Sequence, residues 1–286
     1  MHQGQPRFKV YSSPASQWAG VPLLGLVEKG YDEKEYEVEN IDLMGAGNFH
    51  PDYVKINRNG TIPSLTSASL EQPLSESADI LVYLNDSRPS GLNLAAKDDA
   101  TSRAVKQLVD LVHSPEVSTN IILLMARDAE EMQAKQKGPF NDFLRKRQDT
   151  LEKYHKEIPD SDFYSARRHM NGAIYHHYVS SDGHPQFFQQ SQEAYRGFAA
   201  GMDKLESLIV LPYAVGSELT FADLHIVPWL AHAMFGAGAK ELDDFGSLEN
   251  LIRKTVPDFK VGPKTREWLG NMMKRESFKK VYPFLH

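Results

Sequence analysis

The sequence predicts two units of different architecture: a mixed α/β unit followed by a larger all-helical one. Three observations carry this. Over residues 8–89, short β-prone runs alternate with stretches whose apolar residues recur at helical spacing. Beyond residue 98, nearly every apolar residue follows the helical period. Between them lies "NDSRPSGLNLAAKDD", a polar stretch with Pro89 and Gly91 that has the composition of a connection. The predicted units are residues 1–89 and 98–286, joined by residues 90–97.

In the first unit, "RFKVY" reads as a strand and "GVPLLGLVEKG" as a helix ending at Gly30. "YEVENIDL" alternates as a second strand, with Tyr36, Val38, Ile41 and Leu43 apolar and one irregular step. "HPDYVKIN" is a short helical turn, and "TIPSLTS" a brief strand containing Pro63. "LSESADILVYLND" is an amphipathic helix with Ser75 as a suitable cap. The expected order is β-α-β-α-β-β-α, a small sheet covered by helices.

In the second unit, residues 100–136 place Val105, Leu108, Val109 and Val112 on one helical face, then Ile121, Ile122, Leu124 and Met125. "FNDFLRKRQDTLEKYHKEI" and "SQEAYRGFAAGMDKLESLIVL" follow the same period. Arg145 to Arg147 read as a solvated helix face. Thr220 followed three residues later by Asp223 is a capping box, and Leu219 and Leu224 take the positions of a hydrophobic staple.

Composition narrows the function classes. Of 286 residues, 41% are hydrophobic and 24% charged, as in an ordinary soluble globular protein. The net charge of −6 argues against nucleic acid as a partner. No run approaches the roughly 18 apolar residues of a membrane span. "MHQGQPRFKV" lacks the apolar core of a signal peptide, so no membrane association and a cytoplasmic location are expected. The chain has no cysteine, which rules out disulfides, thiolate metal sites and a cysteine nucleophile. Any thiol chemistry must use a thiol carried in by a ligand.

Three separated motifs, "NRNGTIPSL", "PLSESADILVYL" and "GSELTFADLHIVPWL", together with the opening strand and the loop "SSPAS", resemble the glutathione transferase superfamily in order and spacing. The resemblance covers most of the chain and is strongest over residues 8–86 and 205–286. It implies a thioredoxin-like N-terminal domain with a cis-proline and an all-helical C-terminal domain. It also implies glutathione as cosubstrate, a homodimer and no metal. By the resemblance Pro63 is the cis-proline, and the backbone of Ile62 before it pairs with the cysteinyl part of glutathione. Glu76 and Ser77 hold the γ-glutamyl end, Glu76 facing its ammonium, Ser77 and the helix N-terminus its carboxylate. Toward the glycine end, relatives often carry His or Lys where this chain has Asn48, Phe49 and Thr61. Asn48 can still hydrogen bond a carboxylate, with His50 and Arg58 nearby.

The resemblance further implies that the bound thiol reacts as a thiolate. A thiol of this kind has a pKa of about 8.5, and lowering it by two units requires about 2.7 kcal/mol in favour of the thiolate. One charge-assisted hydrogen bond supplies about 1.5–3 kcal/mol, and a helix N-terminus about 0.3–1. One hydroxyl plus one helix end suffices without a general base. "SPAS" is similar to the loop of serine-type plant and fungal transferases, which points to Ser16, with Ser13 as the alternative. Pro22 leaves the helix start open. It interrupts a helix capped by Ser16 but fits the first turn of one beginning near Gly20.

Residues 128–200 are long for the superfamily and resemble the extended region of its reductive dehalogenases, whose cysteine chemistry is unavailable here. His176, His177 and His184 read as packed or surface residues rather than metal ligands. The expected function is conjugation of glutathione to a small apolar electrophile bound between the domains, partly along the helix from His113 to Met125. The alternative is a transferase-like protein that binds glutathione or an apolar ligand without turnover.

Overall fold

The computed structural model describes residues 6–283, so the first five and last three residues of the predicted units lie outside it. A sheet opens the chain. Strand β1 (Phe8–Ser12) is followed by a 3-10 turn (Gln17–Ala19) that runs directly into helix α1 (Gly20–Glu28). Then come β2 (Tyr36–Asn40), α2 (Pro51–Ile56), β3 (Ser64–Ser67) and α3 (Ser77–Asp86). The strand order is β2-β1-β3. β1 pairs parallel with β2, Phe8 opposite Tyr36, and antiparallel with β3, Phe8 opposite Ser67. As the central strand, β1 has both faces covered, and Phe8, Val10 and Tyr11 are all buried.

Two details of the expected order change. The fourth strand is reduced to a single bridge between Leu74 and Leu65, confined between the bend at Glu71 and Gln72 and the start of α3 at Ser77. β2 stops at Asn40, and Val38, expected inward, is exposed because it belongs to an edge strand.

The helical unit comprises α4 (Asp99–His113), α5 (Asn120–Leu124), α6 (Ala129–Gln136), α7 (Pro139–Glu157), α8 (Asp162–Val179), α9 (His184–Leu208), α10 (Phe221–Gly236), α11 (Phe245–Arg253), α12 (Pro263–Met272) and α13 (Glu276–Val281). The helical period over residues 100–136 is thus divided among three helices. Ser114 leaves the helix and Pro115 starts a short 3-10 turn, where a proline's missing N–H costs nothing. Val105, Leu108 and Val112 are buried as their spacing requires.

The core gathers around α10, which is buried on nearly every side. Its capping box forms as expected, and Leu219 and Leu224 are buried beside it. Asp223 does more than cap. Its carboxylate accepts from the Thr220 backbone at 2.9 Å, Ala214 N at 2.7 Å and Trp268 Nε1 at 2.8 Å. Val21 and Leu24 of α1 and Leu81 of α3 join the same apolar core, which welds the two units. Glu28 at the end of α1 accepts from Nε and Nη2 of Arg275, at 2.6 and 2.5 Å. The connection is pinned as well: Leu94 is fully buried, and its N–H reaches Asn85 Oδ1 at 2.9 Å. No helix among the described residues is long and apolar enough to cross a membrane.

Candidate functional site

The site lies where the loop after β1 and the loop before β3 meet α5, α7, α8 and α10. Ser12 closes β1, and its carbonyl accepts from Ile41. The loop after it is folded by its own backbone, Ser16 N donating to Ser13 O at 3.0 Å. Ser13 is buried and Ser16 half-buried. The α-helix begins at Gly20, so Pro22 stands in its first turn and breaks no hydrogen bond. Ser16 instead precedes the 3-10 turn, and its hydroxyl is not used as a cap. Ser16 Oγ donates to the carbonyl oxygen of Ile62 at 2.9 Å.

Ile62 precedes Pro63 through a cis peptide bond, as expected at that position. The segment around it is held by three buried polar side chains, of which the sequence singled out only Asn48. Tyr53 OH donates to Thr61 O at 2.6 Å. Asn57 Nδ2 lies 2.8 Å from Thr61 O and 3.0 Å from Ser64 Oγ. Asn48 Nδ2 donates to Gly60 O at 2.6 Å, while its Oδ1 is buried without a partner. The Asn48 amide is therefore turned to the loop backbone. Thr61 is exposed, but its carbonyl is already engaged.

Ser77 is the first residue of α3 and is buried, and Glu76 is the exposed residue before it; neither is in the cavity wall that Ser16 and Ile62 share. Glu76 occupies the cap position expected for Ser75, and no side chain caps the helix. The first N–H groups of α3 are thus free to receive an anion. Toward the opposite end, His50 caps α2 by accepting from Asp52 N, and Arg58 is exposed.

The middle segment closes that end. On α8, Phe163 packs on Gly60, where an added Cβ would come within 2.6 Å of its ring and φ is +56°. Tyr164 OH donates to Phe49 O at 2.9 Å, and Arg167 Nη2 to Asn59 O at 2.8 Å. Arg147 on α7 corrects the expectation of a solvated face. Arg145 is exposed between Asp142 and Asp149, but Arg147, two residues on and so on the opposite face of the helix, points inward. Its guanidinium lies 4.3 Å from the centre of the Phe49 ring and 4.9 Å from that of Phe143. Loss of water and the nearby Arg167 lower its pKa to about 10, which leaves it a cation at neutral pH. Among the described residues it forms no ion pair.

Two adjoining cavities result. One, of about 410 Å³, is lined by Ser16, Trp18, Asn48, Thr61, Ile62, Arg147 and Arg167 among others. The second, of about 420 Å³, is almost wholly apolar, with Leu123, Phe140, Phe143 and Phe235 in its wall. Ala15, Asn120, Leu124 and His232 border both. Of the stretch from His113 to Met125, Asn120, Leu123 and Leu124 line the cavities, and His113 does not. The His113 ring stacks on Trp18 at 3.8 Å and meets His225 Nδ1 at 2.9 Å, behind the cavity wall. Burial lowers the pKa of His225 to about 3.

The histidines of the middle segment pack locally. The His177 ring stacks on Phe187 at 4.2 Å, and His184 Nε2 meets His177 O at 2.9 Å. Among the described residues no group of three or more His, Asp or Glu side chains is arranged to hold a metal.

Comparison with known proteins bears on the fold. Residues 10–91 match the family model described as glutathione S-transferase, N-terminal domain. Over 88 residues the chain is 38% identical to an uncharacterized GST-like protein of Streptococcus mutans, a match covering 29% of this chain and 34% of that relative. A glutathione transferase homologue from Sulfitobacter, solved with bound glutathione, superposes with a TM-score of 0.58 at 17% identity, covering 96% of this chain and 97% of that one. A glutathione transferase family member from Pseudomonas fluorescens, solved with two glutathiones bound, gives 0.57 at 16% identity, over 99% and 95% of the two chains. The fold throughout is that of these proteins: a thioredoxin-like unit with a small mixed sheet, then a helical unit.

Proposed function

We propose that this chain is a glutathione transferase that activates the bound thiol through Ser16 and transfers it to a small apolar electrophile. The observation that carries this reading is the hydrogen bond from Ser16 to the carbonyl of Ile62. A peptide laid along the cis-proline segment brings an N–H to that carbonyl, as an added strand would. The cysteinyl N–H of glutathione then replaces the Ser16 hydroxyl at Ile62 O. The freed O–H turns toward the sulfur beside it. A neutral hydrogen bond of about 0.5–1.5 kcal/mol is exchanged for one to an anion, about 1.5–3 kcal/mol. The exchange links thiolate stabilisation to correct seating of the peptide.

The two ends of glutathione carry charge, and each has a counterpart. The γ-glutamyl carboxylate is received by Ser77 and the uncapped N-terminus of α3, its ammonium by Glu76. The glycine carboxylate is received by Arg147, with Arg167 beside it, rather than by Asn48 or Thr61. A desolvated guanidinium without an ion pair, facing a cavity, favours an anionic ligand. Ser13 supports the Ser16 loop through its backbone rather than touching the sulfur. The thiolate then attacks an electrophile in the apolar cavity: a carbon–sulfur bond forms, and the electrophile's leaving group departs or its acceptor carbon takes up a proton. No metal takes part. A cytoplasmic homodimer, with the sheet unit of one subunit on the helical unit of the other, belongs to the same proposal. The exposed Val82 on α3 is one apolar residue such a contact would cover.

Calorimetric titration with glutathione, followed by a conjugation assay with a halogenated nitrobenzene, tests this reading. Binding in the micromolar to millimolar range and enzyme-dependent thioether formation are expected. Absence of glutathione binding at millimolar concentration would end the proposal. Binding without thioether formation would instead favour the non-catalytic carrier.

A further inference from the structure

His232 stands on α10 at the boundary of the two cavities, and a chain of three side chains decides which of its nitrogens carries the proton. Thr119 Oγ1 donates to Gln17 Oε1, an oxygen that offers only lone pairs. A hydroxyl has one proton, so the Thr119 oxygen can only accept from its other neighbour, His232 Nδ1, at 2.7 Å. Nδ1 is therefore protonated. Burial lowers the pKa of the ring to about 4, so it is neutral and its Nε2 bears a bare lone pair. Nε2 has no hydrogen-bond partner among the described residues and is not among the side-chain nitrogens sealed from solvent. Apart from the Asn120 amide, the wall of the second cavity is apolar, with Leu123, Leu124, Phe140, Phe143 and Phe235 in it.

We propose that the apolar cavity binds a flat apolar molecule bearing a hydroxyl group, of the phenol class, whose O–H donates to Nε2 of His232. A carbonyl or ether oxygen at the same place would set lone pair against lone pair. A ligand with no polar group would leave Nε2 desolvated and unpaired, the situation in which sites built to bond a hydroxyl discriminate most strongly. Gln17 follows Ser16 directly, so the loop that carries the proposed thiolate donor also sets the polarity of this cavity. The inference rests on the proposed function only for the role of the ligand as a hydroxylated cosubstrate. Its binding requires no glutathione.

The test is a calorimetric titration of the full chain with 1-naphthol and with 1-methoxynaphthalene, each with and without glutathione. The expected result is naphthol binding about tenfold or more tighter. In His232→Phe, which keeps the ring volume but cannot accept, that preference should vanish or reverse, because the ether is the more apolar molecule. Gln17→Leu supplies a second variant. It frees the Thr119 proton for Nδ1, moves the ring proton to Nε2, and should also abolish the preference for naphthol. Equal binding of the two probes by the wild type would overturn the inference. So would a naphthol preference that survives in folded His232→Phe, or in Gln17→Leu if the first variant does not fold. Naphthol preference without glutathione binding would leave this site standing while the proposed function falls. Glutathione binding without naphthol preference would do the reverse.

Discussion

The hydroxyl of Ser16 lies 2.9 Å from the carbonyl oxygen of Ile62, 46 positions along the chain. This joins the loop after β1 to the cis-proline segment before β3, and it puts a serine hydroxyl on the backbone group that a bound peptide would claim. The proposed chemistry turns on the exchange at this carbonyl.

Arg147 is expected to govern affinity for glutathione rather than the chemical step. Arg147→Ala should raise KM for glutathione roughly 10- to 100-fold, the worth of a charge-assisted hydrogen bond, with little change in kcat. Glutathione amidated at its glycine carboxylate provides the control. It should bind wild type and variant alike. A loss of the same size for both ligands would show that Arg147 acts only through packing on Phe49 and Phe143.

Asn57 is expected to matter through stability. Its amide bonds Thr61 O, Thr61 Oγ1 and Ser64 Oγ within a buried corner. Asn57→Ala leaves these groups short of a donor, which should cost about 1–3 kcal/mol. Chemical denaturation should show a lower midpoint with an unchanged slope. An unaltered midpoint would mean that water replaces the amide.

Much of this arrangement is local in the sequence, and that part was legible. The β-prone runs, the Thr220–Asp223 capping box and the proline before a short strand each depend on neighbours a few residues away. The lost fourth strand and the exposed Val38 were misjudged because edge position is set by the sheet, not by alternation. Arg147, Tyr53, Asn57 and His232 were not legible for a related reason. Arg145 and Arg147 look alike as sequence, and only the packing of α7 on Phe49 turns one inward. The Thr119 that orients His232 lies 113 residues from it, and Arg167 meets a carbonyl 108 residues away. No periodicity reports such distances.

Asp223 collects donors from the loop between α9 and α10 and from Trp268 in a fully buried position. Asp223→Ala should destabilise the protein by about 3–5 kcal/mol, combining a lost cap with several unpaired buried donors. Thr220→Ala should cost about 1 kcal/mol. If the two variants melted together, the bonds to Ala214 and Trp268 would carry no weight.

Acid should destabilise the fold through its buried histidines. His225 and His232 have pKa values lowered to about 3 and about 4 by burial, against an ordinary 6.5. The unfolded chain therefore binds protons that the native state refuses. Their contribution is fully present above pH 6.5 and is lost as pH falls from there through their folded values. Each group accounts for up to about 1.4 kcal/mol per pH unit within that window. His225→Phe, if folded, should flatten the decline in denaturation free energy between pH 6 and 4 by about one proton. An unchanged slope would mean that His225 is protonated in the native state.

The most direct test is the titration of the bound thiol, followed by the ultraviolet absorbance of its thiolate. With wild type, the pKa of bound glutathione should lie about two units below the free value of about 8.5. With Ser16→Ala it should return most of the way, and Ser13→Ala should leave it lowered. A bound thiol with the same lowered pKa in Ser16→Ala would contradict the central claim and place thiolate stabilisation elsewhere in the site.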